Sequence, residues 1–121
     1  MYNDRSVLEN RHVSCLYSLV SEHPEADVFY YLDENSWREV RKIIIEAILH
    51  TDMVKHFGMV SKVDVFYELH SAEIQSETVD ALFDDPEDRL FLFALILHCA
   101  DISNPVKPLS ISEKCHEQCC R

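Results

Sequence analysis

A shortage of turn-forming residues is the feature that most constrains how this chain can fold. Only one glycine and 4 prolines occur among its 121 residues. Sandwiches and barrels need turn residues at short intervals, so an all-β fold is disfavoured. Long stretches instead carry apolar residues at helical spacing. We therefore expect an all-α protein, with a length that suits one domain at most.

Local signals predict where several helices begin and end. Two segments have the spacing of a capping box, and a third has an acidic N-cap residue followed by proline. The residues that carry these signals are Ser6 with Glu9, Ser36 with Glu39, and Asp85 with Pro86. We expect Pro24 to end the first helix and Gly58 to interrupt the second. Residues 89–100 are apolar on almost all sides, which predicts a central, buried helix.

Asp101 lies at the end of that predicted helix. A carboxylate there opposes the helix dipole, so it costs stability unless a cation or a donor compensates it. Asp101 is therefore the best single candidate for a metal ligand. The sequence leaves a second interpretation open, in which the Asp101 side chain bonds the backbone of the turn that follows.

Nearby histidines admit both functional and purely structural interpretations. His98 precedes Asp101 by three residues and would face nearly the same way, but a packed core histidine is the more common case. His56 and Asp52 are four residues apart on one predicted helix, which a surface hydrogen bond would explain. Glu9 is accounted for by its capping-box spacing.

The charge of the chain limits its partners. With 22 acidic and 11 basic residues, the formal net charge is −11. Phosphate backbones and anionic membranes repel such a chain, so nucleic acid is not an expected partner. The first residues lack the features of a signal peptide, and the longest apolar run is too short to span a bilayer. Five cysteines without CxxC spacing suit reduced thiols, and we expect a cytoplasmic location.

Four segments, in order, carry a resemblance to a known family. They are YNDRSVLEN at 2–10 followed by His12, TDM at 51–53 with KHF at 55–57, LHCADISNP at 97–105, and KPL at 107–109. Their wording and order resemble the class I cyclic nucleotide phosphodiesterases, an all-helical family of HD-type metallohydrolases. The resemblance implies a partial HD-type helical bundle, in which residues 1–121 form part of a catalytic domain truncated at both ends.

The resemblance also implies roles for individual residues. In this family the Asp of the HCADISNP-like segment binds a tightly held metal, usually zinc, which implicates Asp101. The Glu of SVLEN and the Thr of TDM hold waters around a second metal, usually magnesium, which implicates Glu9 and Thr51. By the same resemblance, Asn104 and Met53 border the nucleotide pocket.

Support roles rather than metal ligation are expected for His12, Asp52 and His98. One departure is Arg11, which stands where the family usually has a histidine. The general-acid histidine and most metal ligands of the family have no counterpart in this sequence. We therefore assign no catalytic residue, and expect the isolated chain to bind zinc or magnesium weakly.

The function implied by the resemblance is metal-dependent hydrolysis of 3',5'-cyclic nucleotides to 5'-nucleotides in signalling. The substrate of the complete domain would be cAMP, cGMP or both, and the sequence does not distinguish them. The isolated chain is expected to be inactive. The alternative is a non-catalytic helical fragment or interaction module that associates with a full-length phosphodiesterase.

Overall fold

A computed structural model describes residues 3–119, apart from the side chains at 79, 81, 104, 115, 117 and 119. This part of the chain contains α-helices and short 3-10 turns but no strand, which confirms the all-α expectation. The helices are α1 (Val7–Glu22), α2 (Glu34–Leu49), α3 (His56–Leu69), α4 (Ser71–Gln75), α5 (Pro86–Asp101) and α6 (Leu109–Cys119). The 3-10 turns cover Pro24–Ala26, Met53–Lys55, Val79–Phe83 and Asn104–Val106.

Acidic residues cap two of these helices. Asp85 accepts hydrogen bonds from the N–H groups of Glu87 (2.8 Å) and Asp88 (3.1 Å), as its sequence context predicts. At α2 the expected capping box is wrong. Asp33 is the N-cap residue there, and it accepts bonds from the N–H groups of Asn35 and Ser36. Ser36 thus lies inside the first turn, where its hydroxyl also donates to Asp33 (2.7 Å).

The first helix begins and ends where the sequence predicts, but its cap differs. α1 runs from Val7 to Glu22 and stops before Pro24. Ser6 occupies the N-cap position with φ 44° and ψ 49°, and its side chain makes no capping hydrogen bond. The expected capping box of Ser6 and Glu9 is therefore wrong, because the serine hydroxyl is used elsewhere.

α2 ends nine residues before Gly58, so the expected interruption at the glycine is wrong. α2 ends at Leu49, and Gly58 lies in the first turn of α3. The expected helical conformation of Asp52 is wrong, because Asp52 is the N-cap residue of the 3-10 turn at 53–55. The Thr51 hydroxyl donates to the carbonyl oxygen of Ile48 (2.8 Å). Polar side chains that bond nearby backbone compete with the helix, which explains the break here.

The packing centres on α2, which contacts both α5 and α1. Small side chains are buried in the two principal helices, Ala47 in α2 and Ala94 in α5. At the surface of this contact, Arg89 of α5 donates to Glu39 of α2 (2.7 Å). The small side chains allow the two helix backbones to approach closely.

α5 is buried on one side only, so the expectation of burial all round is wrong. Phe91, Ala94 and His98 form its buried side at helical spacing. Phe93 and Ile96 point outwards, with 40% and 60% of their surface exposed. Among the helices of residues 3–119, none has both the length and the apolar character that crossing a membrane requires.

Candidate functional site

A hydrogen bond joins the first two motif segments. The Ser6 hydroxyl donates to Oδ2 of Asp52 at 2.7 Å, in a partly buried position, across 46 residues of sequence. This contact places the beginning of α1 beside the loop between α2 and α3. The SVLEN and TDM segments are therefore neighbours in space as well as matches to the same family.

Asp52 is fixed through both of its carboxylate oxygens. Oδ1 accepts a bond from the N–H of Val54 (2.9 Å), and Oδ2 accepts the bond from Ser6. The Val54 N–H lowers the pKa of Asp52 most, followed by the Ser6 hydroxyl and the charge of Lys55, against some desolvation. The expected pairing of Asp52 with His56 is wrong, since the imidazole bonds a different partner.

That partner is His98, which joins the second motif segment to the third. Nδ1 of His56 and Nε2 of His98 are 2.9 Å apart, although 42 residues separate the two histidines. His98 is only 2% exposed, and its Nδ1 is buried without a partner among the described residues. His98 therefore has the placement of a packed core histidine. Its support role stays a prediction.

Asp101 is the last residue of α5, and it is exposed. Asp101 lies only three residues from the buried His98, but at the end of the helix its side chain is exposed to solvent. Within the described residues, its carboxylate makes no hydrogen bond or ion pair, including to the backbone of the following turn. Both oxygens of Asp101 are therefore available to an external ligand, and metal ligation stays a prediction.

Glu9 and Thr51 each carry an oxygen atom that can accept a hydrogen bond from water. Glu9 lies in the first turn of α1, half-buried, and its carboxylate has no hydrogen bond within residues 3–119. The Thr51 hydroxyl donates a hydrogen bond to the carbonyl oxygen of Ile48, so the hydroxyl oxygen retains lone pairs that can accept a hydrogen bond from water. Both side chains suit water-mediated contact with a cation.

The remaining predicted residues are less well defined by the structure. Met53 is 57% exposed beside the loop, and His12 is exposed on α1. No described hydrogen bond brings His12 to the other candidates. The side chain of Asn104 lies outside the described part of the chain. Their roles stay predictions.

The donor set fits the two expected metals differently. Nowhere in the described residues do three or more His, Cys, Asp or Glu side chains converge as a metal site. Asp101 alone does not make a zinc site, which needs three or four protein ligands. The oxygens of Asp101, Glu9 and Thr51 suit magnesium, which retains its waters and takes few direct protein ligands.

Sequence reasoning missed the two residues that connect the segments. Ser6 was interpreted as a helix cap, and His56 as a surface partner of Asp52. Both lie inside the motif segments, SVLEN and KHF, and this was the available signal that they connect those segments. Their actual partners, Asp52 and His98, depend on tertiary packing.

Comparison with known proteins identifies the family. A family model described as 3'5'-cyclic nucleotide phosphodiesterase matches residues 1–121. This chain belongs to the 3',5'-cyclic nucleotide phosphodiesterase family. The resemblance expected from the four segments is thereby confirmed.

Individual relatives agree with this assignment. A high affinity cAMP-specific and IBMX-insensitive 3',5'-cyclic phosphodiesterase 8A of Mus musculus is 34% identical over 128 residues, covering 100% of this chain and 15% of that protein. The 3',5'-cyclic-AMP phosphodiesterase, isoform F, of Drosophila melanogaster is 33% identical over 114 residues, covering 94% of this chain and 17% of that protein.

A solved structure also matches the fold. It is the phosphodiesterase domain of the RhoPDE fusion protein from the choanoflagellate Salpingoeca rosetta, with a TM-score of 0.74 and 34% sequence identity. The match covers 93% of this chain and 33% of that domain chain. This phosphodiesterase chain thus spans about a third of the solved domain and less than a fifth of the curated relatives.

Proposed function

We propose that this chain forms part of a catalytic domain that hydrolyses 3',5'-cyclic nucleotides to 5'-nucleotides with divalent metals. The observation that supports this most directly is the joining of three motif segments by two hydrogen bonds. Ser6 bonds Asp52, and His56 bonds His98. These two bonds connect the segments that carry the family resemblance, and this connection supports the proposal.

In this proposal the chain contributes oxygen donors to a metal site. Asp101 would bind a cation directly, while Glu9 and Thr51 would accept hydrogen bonds from its waters. A bound divalent cation neutralises charge on phosphoryl oxygens and lowers the pKa of a bound water to about 7. The further zinc ligands and the general acid would come from the two thirds of the domain that this chain does not span.

The nucleotide would lie beside the third segment. We propose that Asn104 and Met53 border its pocket, as the family resemblance implies. Relatives named as a cAMP-specific phosphodiesterase and as a 3',5'-cyclic-AMP phosphodiesterase support cAMP as a substrate of the complete domain. The cytoplasmic location stays a prediction.

A second candidate is a non-catalytic module that associates with a full-length phosphodiesterase. It is favoured by apolar side chains that are exposed in or beside the motif segments, such as Val54 (88%) and Phe57 (80%). Exposed apolar surface on a small chain favours association with a partner. Co-purification of this chain with a full-length relative, and its loss in Phe57→Ser, would support this candidate.

A chimera tests the catalytic proposal. Residues 3–119 of this chain would replace the matching third of the Salpingoeca rosetta phosphodiesterase domain. We expect the chimera to hydrolyse cAMP, and Asp101→Ala to lower kcat/KM by about 100-fold or more. The matched control is Asp84→Ala, an exposed acid in the loop before α5, which should leave activity within about twofold.

Two outcomes would contradict the proposal. One is a chimera that folds with the helical content of the parent domain but does not hydrolyse cAMP or cGMP. The other is an active chimera in which Asp101→Ala and Asp84→Ala behave alike. The second outcome would remove Asp101 from the site while leaving the family assignment intact.

A further inference from the structure

A groove between α1 and α2 is lined on the α1 side by hydroxyl groups. Ser14, Ser18 and Ser21 follow one another at helical spacing along α1 and line a cavity of about 510 Å³. A helix normally turns its apolar side towards a neighbouring helix, so a polar stripe here calls for an explanation. None of the three hydroxyls makes a hydrogen bond within residues 3–119. The α1 wall of the groove therefore carries unused donors.

α2 contributes an arginine to the same groove. Cζ of Arg41 lies 4.0 Å from the centroid of the Tyr17 ring, so a cation–π contact holds the guanidinium beside α1. Arg41 makes no ion pair in the described part of the chain, although the sequence has 22 acidic and only 11 basic residues. A guanidinium carries five N–H donors and no acceptor. Arg41 therefore brings a positive charge and further donors to the groove.

The Tyr17 hydroxyl is a buried donor without an acceptor. Its oxygen has no hydrogen-bond partner among the residues that the structure describes. Burial raises the pKa of Tyr17 more than the charge of Arg41 lowers it, so the hydroxyl keeps its proton at neutral pH. An edge contact with Trp37, at 5.7 Å between ring centroids, fixes the ring from a second direction. Because buried polar groups in native proteins nearly always have a partner, this hydroxyl also calls for an explanation.

The charges around the groove are arranged so that its α2 wall is positive. Glu22 is the one acidic side chain that lines this cavity in the described part of the chain, and it forms no ion pair with Arg41. Arg38 and Lys42 lie beside Arg41 on α2 and line an adjacent cavity with it. Arg38 is paired with Glu34, whereas Lys42 has no ion pair within residues 3–119. The local field therefore attracts an anion although the whole chain is acidic.

A phosphate group matches this set of side chains. Its oxygens are all acceptors, and it carries the negative charge that Arg41 lacks. An arginine binds such a group through two parallel, charge-assisted hydrogen bonds, which are stronger than bonds between neutral groups. A carboxylate has only two oxygens, fewer than the donors in the groove. The cavity is also larger than a phosphate group, so it leaves room for whatever the phosphate is attached to.

We propose that the groove between α1 and α2 is a binding site for a phosphate group, held by Arg41, the Tyr17 hydroxyl and the serine hydroxyls of α1. The proposal does not rest on the hydrolysis of cyclic nucleotides, since none of these residues is nominated for the metal site or the nucleotide pocket. Free phosphate and a phosphorylated side chain share the same chemistry, and the test includes a probe for each.

The test titrates the 121-residue chain with inorganic phosphate and with phosphoserine, at constant ionic strength, with chloride as the reference anion. The backbone amide NMR signals of Tyr17 and Ser18 report binding in the groove. Arg41→Gln removes the guanidinium. Tyr17→Phe removes only a hydroxyl without a partner, so this variant should fold at least as stably as the wild type.

Two further variants separate a specific site from general attraction of anions. Glu22→Gln removes the acidic charge that lines the groove. Arg38→Gln is the matched control, because it removes an exposed arginine from the same helix that is already paired with Glu34. Circular dichroism of each variant measures its helical content.

We expect phosphate to shift both signals saturably. Arg41→Gln should raise the Kd about tenfold or more, and Tyr17→Phe about threefold or more, since each removes a hydrogen bond to a charged group. Glu22→Gln should lower the Kd about twofold or more, because it removes a like charge. Arg38→Gln should change the Kd by less than about twofold. Tighter binding of phosphoserine than of inorganic phosphate would identify a phosphorylated protein as the source, and the reverse would identify free phosphate.

The proposal is overturned if neither probe shifts the signals of Tyr17 and Ser18 more than chloride does. It is also overturned if Arg41→Gln and Arg38→Gln raise the Kd equally, because the chain would then attract anions without a specific site. If Arg41→Gln lost helical content, Tyr17→Phe would decide: an unchanged Kd in that variant would contradict the proposal.

Discussion

Nδ1 of His56 lies 2.9 Å from Nε2 of His98, so that a hydrogen bond between two imidazoles joins α3 to the buried side of α5. A neutral imidazole has one donor and one acceptor nitrogen, and one ring must therefore donate to the other. Among the residues that the structure describes, Nδ1 of His98 is buried without a partner. Because buried N–H groups without an acceptor are rarer than bare acceptors, the proton of His98 belongs on Nε2.

The first prediction is this tautomer. We expect ¹⁵N NMR of the imidazole rings at neutral pH to show His98 protonated on Nε2 and unprotonated on Nδ1. His56 should then accept at Nδ1 and carry its own proton on Nε2. A proton on Nδ1 of His98 would reverse the direction of the bond and contradict the prediction.

The second prediction concerns the stability that His98 provides. His98→Ala should lower the free energy of unfolding by about 2–4 kcal/mol, because it leaves a cavity and an unpaired His56. Urea denaturation followed by circular dichroism measures this change. The exposed His12 is the control, and His12→Ala should stay within about 0.5 kcal/mol of the wild type. Equal effects at the two histidines would show that burial of His98 contributes nothing.

The third prediction is a pH dependence that originates at Asp52. The Val54 N–H and the Ser6 hydroxyl lower its pKa in the folded state below the ordinary value of 3.8. The folded state therefore binds this proton less tightly than the unfolded state. The resulting stabilisation is present above the ordinary pKa and is lost as the pH falls through the lowered one.

Denaturation of the wild type and of Asp52→Asn, repeated from neutral to strongly acidic pH, measures this contribution. The difference in stability between the two should shrink as the pH falls. When Ser6→Ala is added to both proteins, the difference in stability between them should become smaller but not disappear. The Val54 N–H makes the larger contribution to the lowered pKa of Asp52. A difference that is constant over the whole pH range would contradict the assignment to Asp52.

Local signals in the sequence sufficed where the chain itself supplies the partner. Asp85 and Pro86 predict the start of α5 because the acceptor and the N–H groups it caps are within three residues. The family, likewise, is readable from short continuous segments. The same reasoning failed at Ser6. Its hydroxyl could accept from nearby N–H groups of its own helix, but in the structure it donates to the distant Asp52. Only tertiary packing decides that choice.

The site was predicted as a set of residues but not as an arrangement. Asp101, Glu9 and Thr51 were nominated from the segments, yet the contacts that bring those segments together use Ser6 and His56. The position of the break after α2 was also predicted wrongly. Glycine is a strong local signal, but the break comes where the Thr51 hydroxyl donates to the nearby carbonyl oxygen of Ile48 and competes with the helix. Finally, the apolar pattern of the sequence does not show which side of α5 packs against other helices and which side is exposed.

The fourth prediction tests the close approach of α2 and α5. Ala94 is 1% exposed on α5, in contact with the helix that carries the buried Ala47. Ala94→Leu should lower the free energy of unfolding by about 1–3 kcal/mol, because a larger side chain overpacks this contact. Ala100→Leu is the matched control on the exposed side of the same helix. It should change stability by less than about 0.5 kcal/mol.

The last prediction concerns the apolar side chains near the site. Phe57 is 80% exposed and follows the TDM segment, while the chain spans only about a third of the solved phosphodiesterase domain that it matches. Exposed apolar surface of this kind drives association. We therefore expect the isolated chain to self-associate at concentrations of about 100 μM, where such surfaces become aggregation-prone.

Sedimentation velocity of the wild type and of Phe57→Ser measures this tendency. The substitution should shift the distribution towards monomer and change stability little, because most of Phe57 is exposed and its described ring contact is with the adjacent His56. Tyr31→Ser is the control, since Tyr31 is 93% exposed but lies in the loop before α2 rather than in a motif segment. If Tyr31→Ser reduced association as much as Phe57→Ser, association would arise from general exposure of aromatic residues. A specific association through Phe57 requires that the two variants differ.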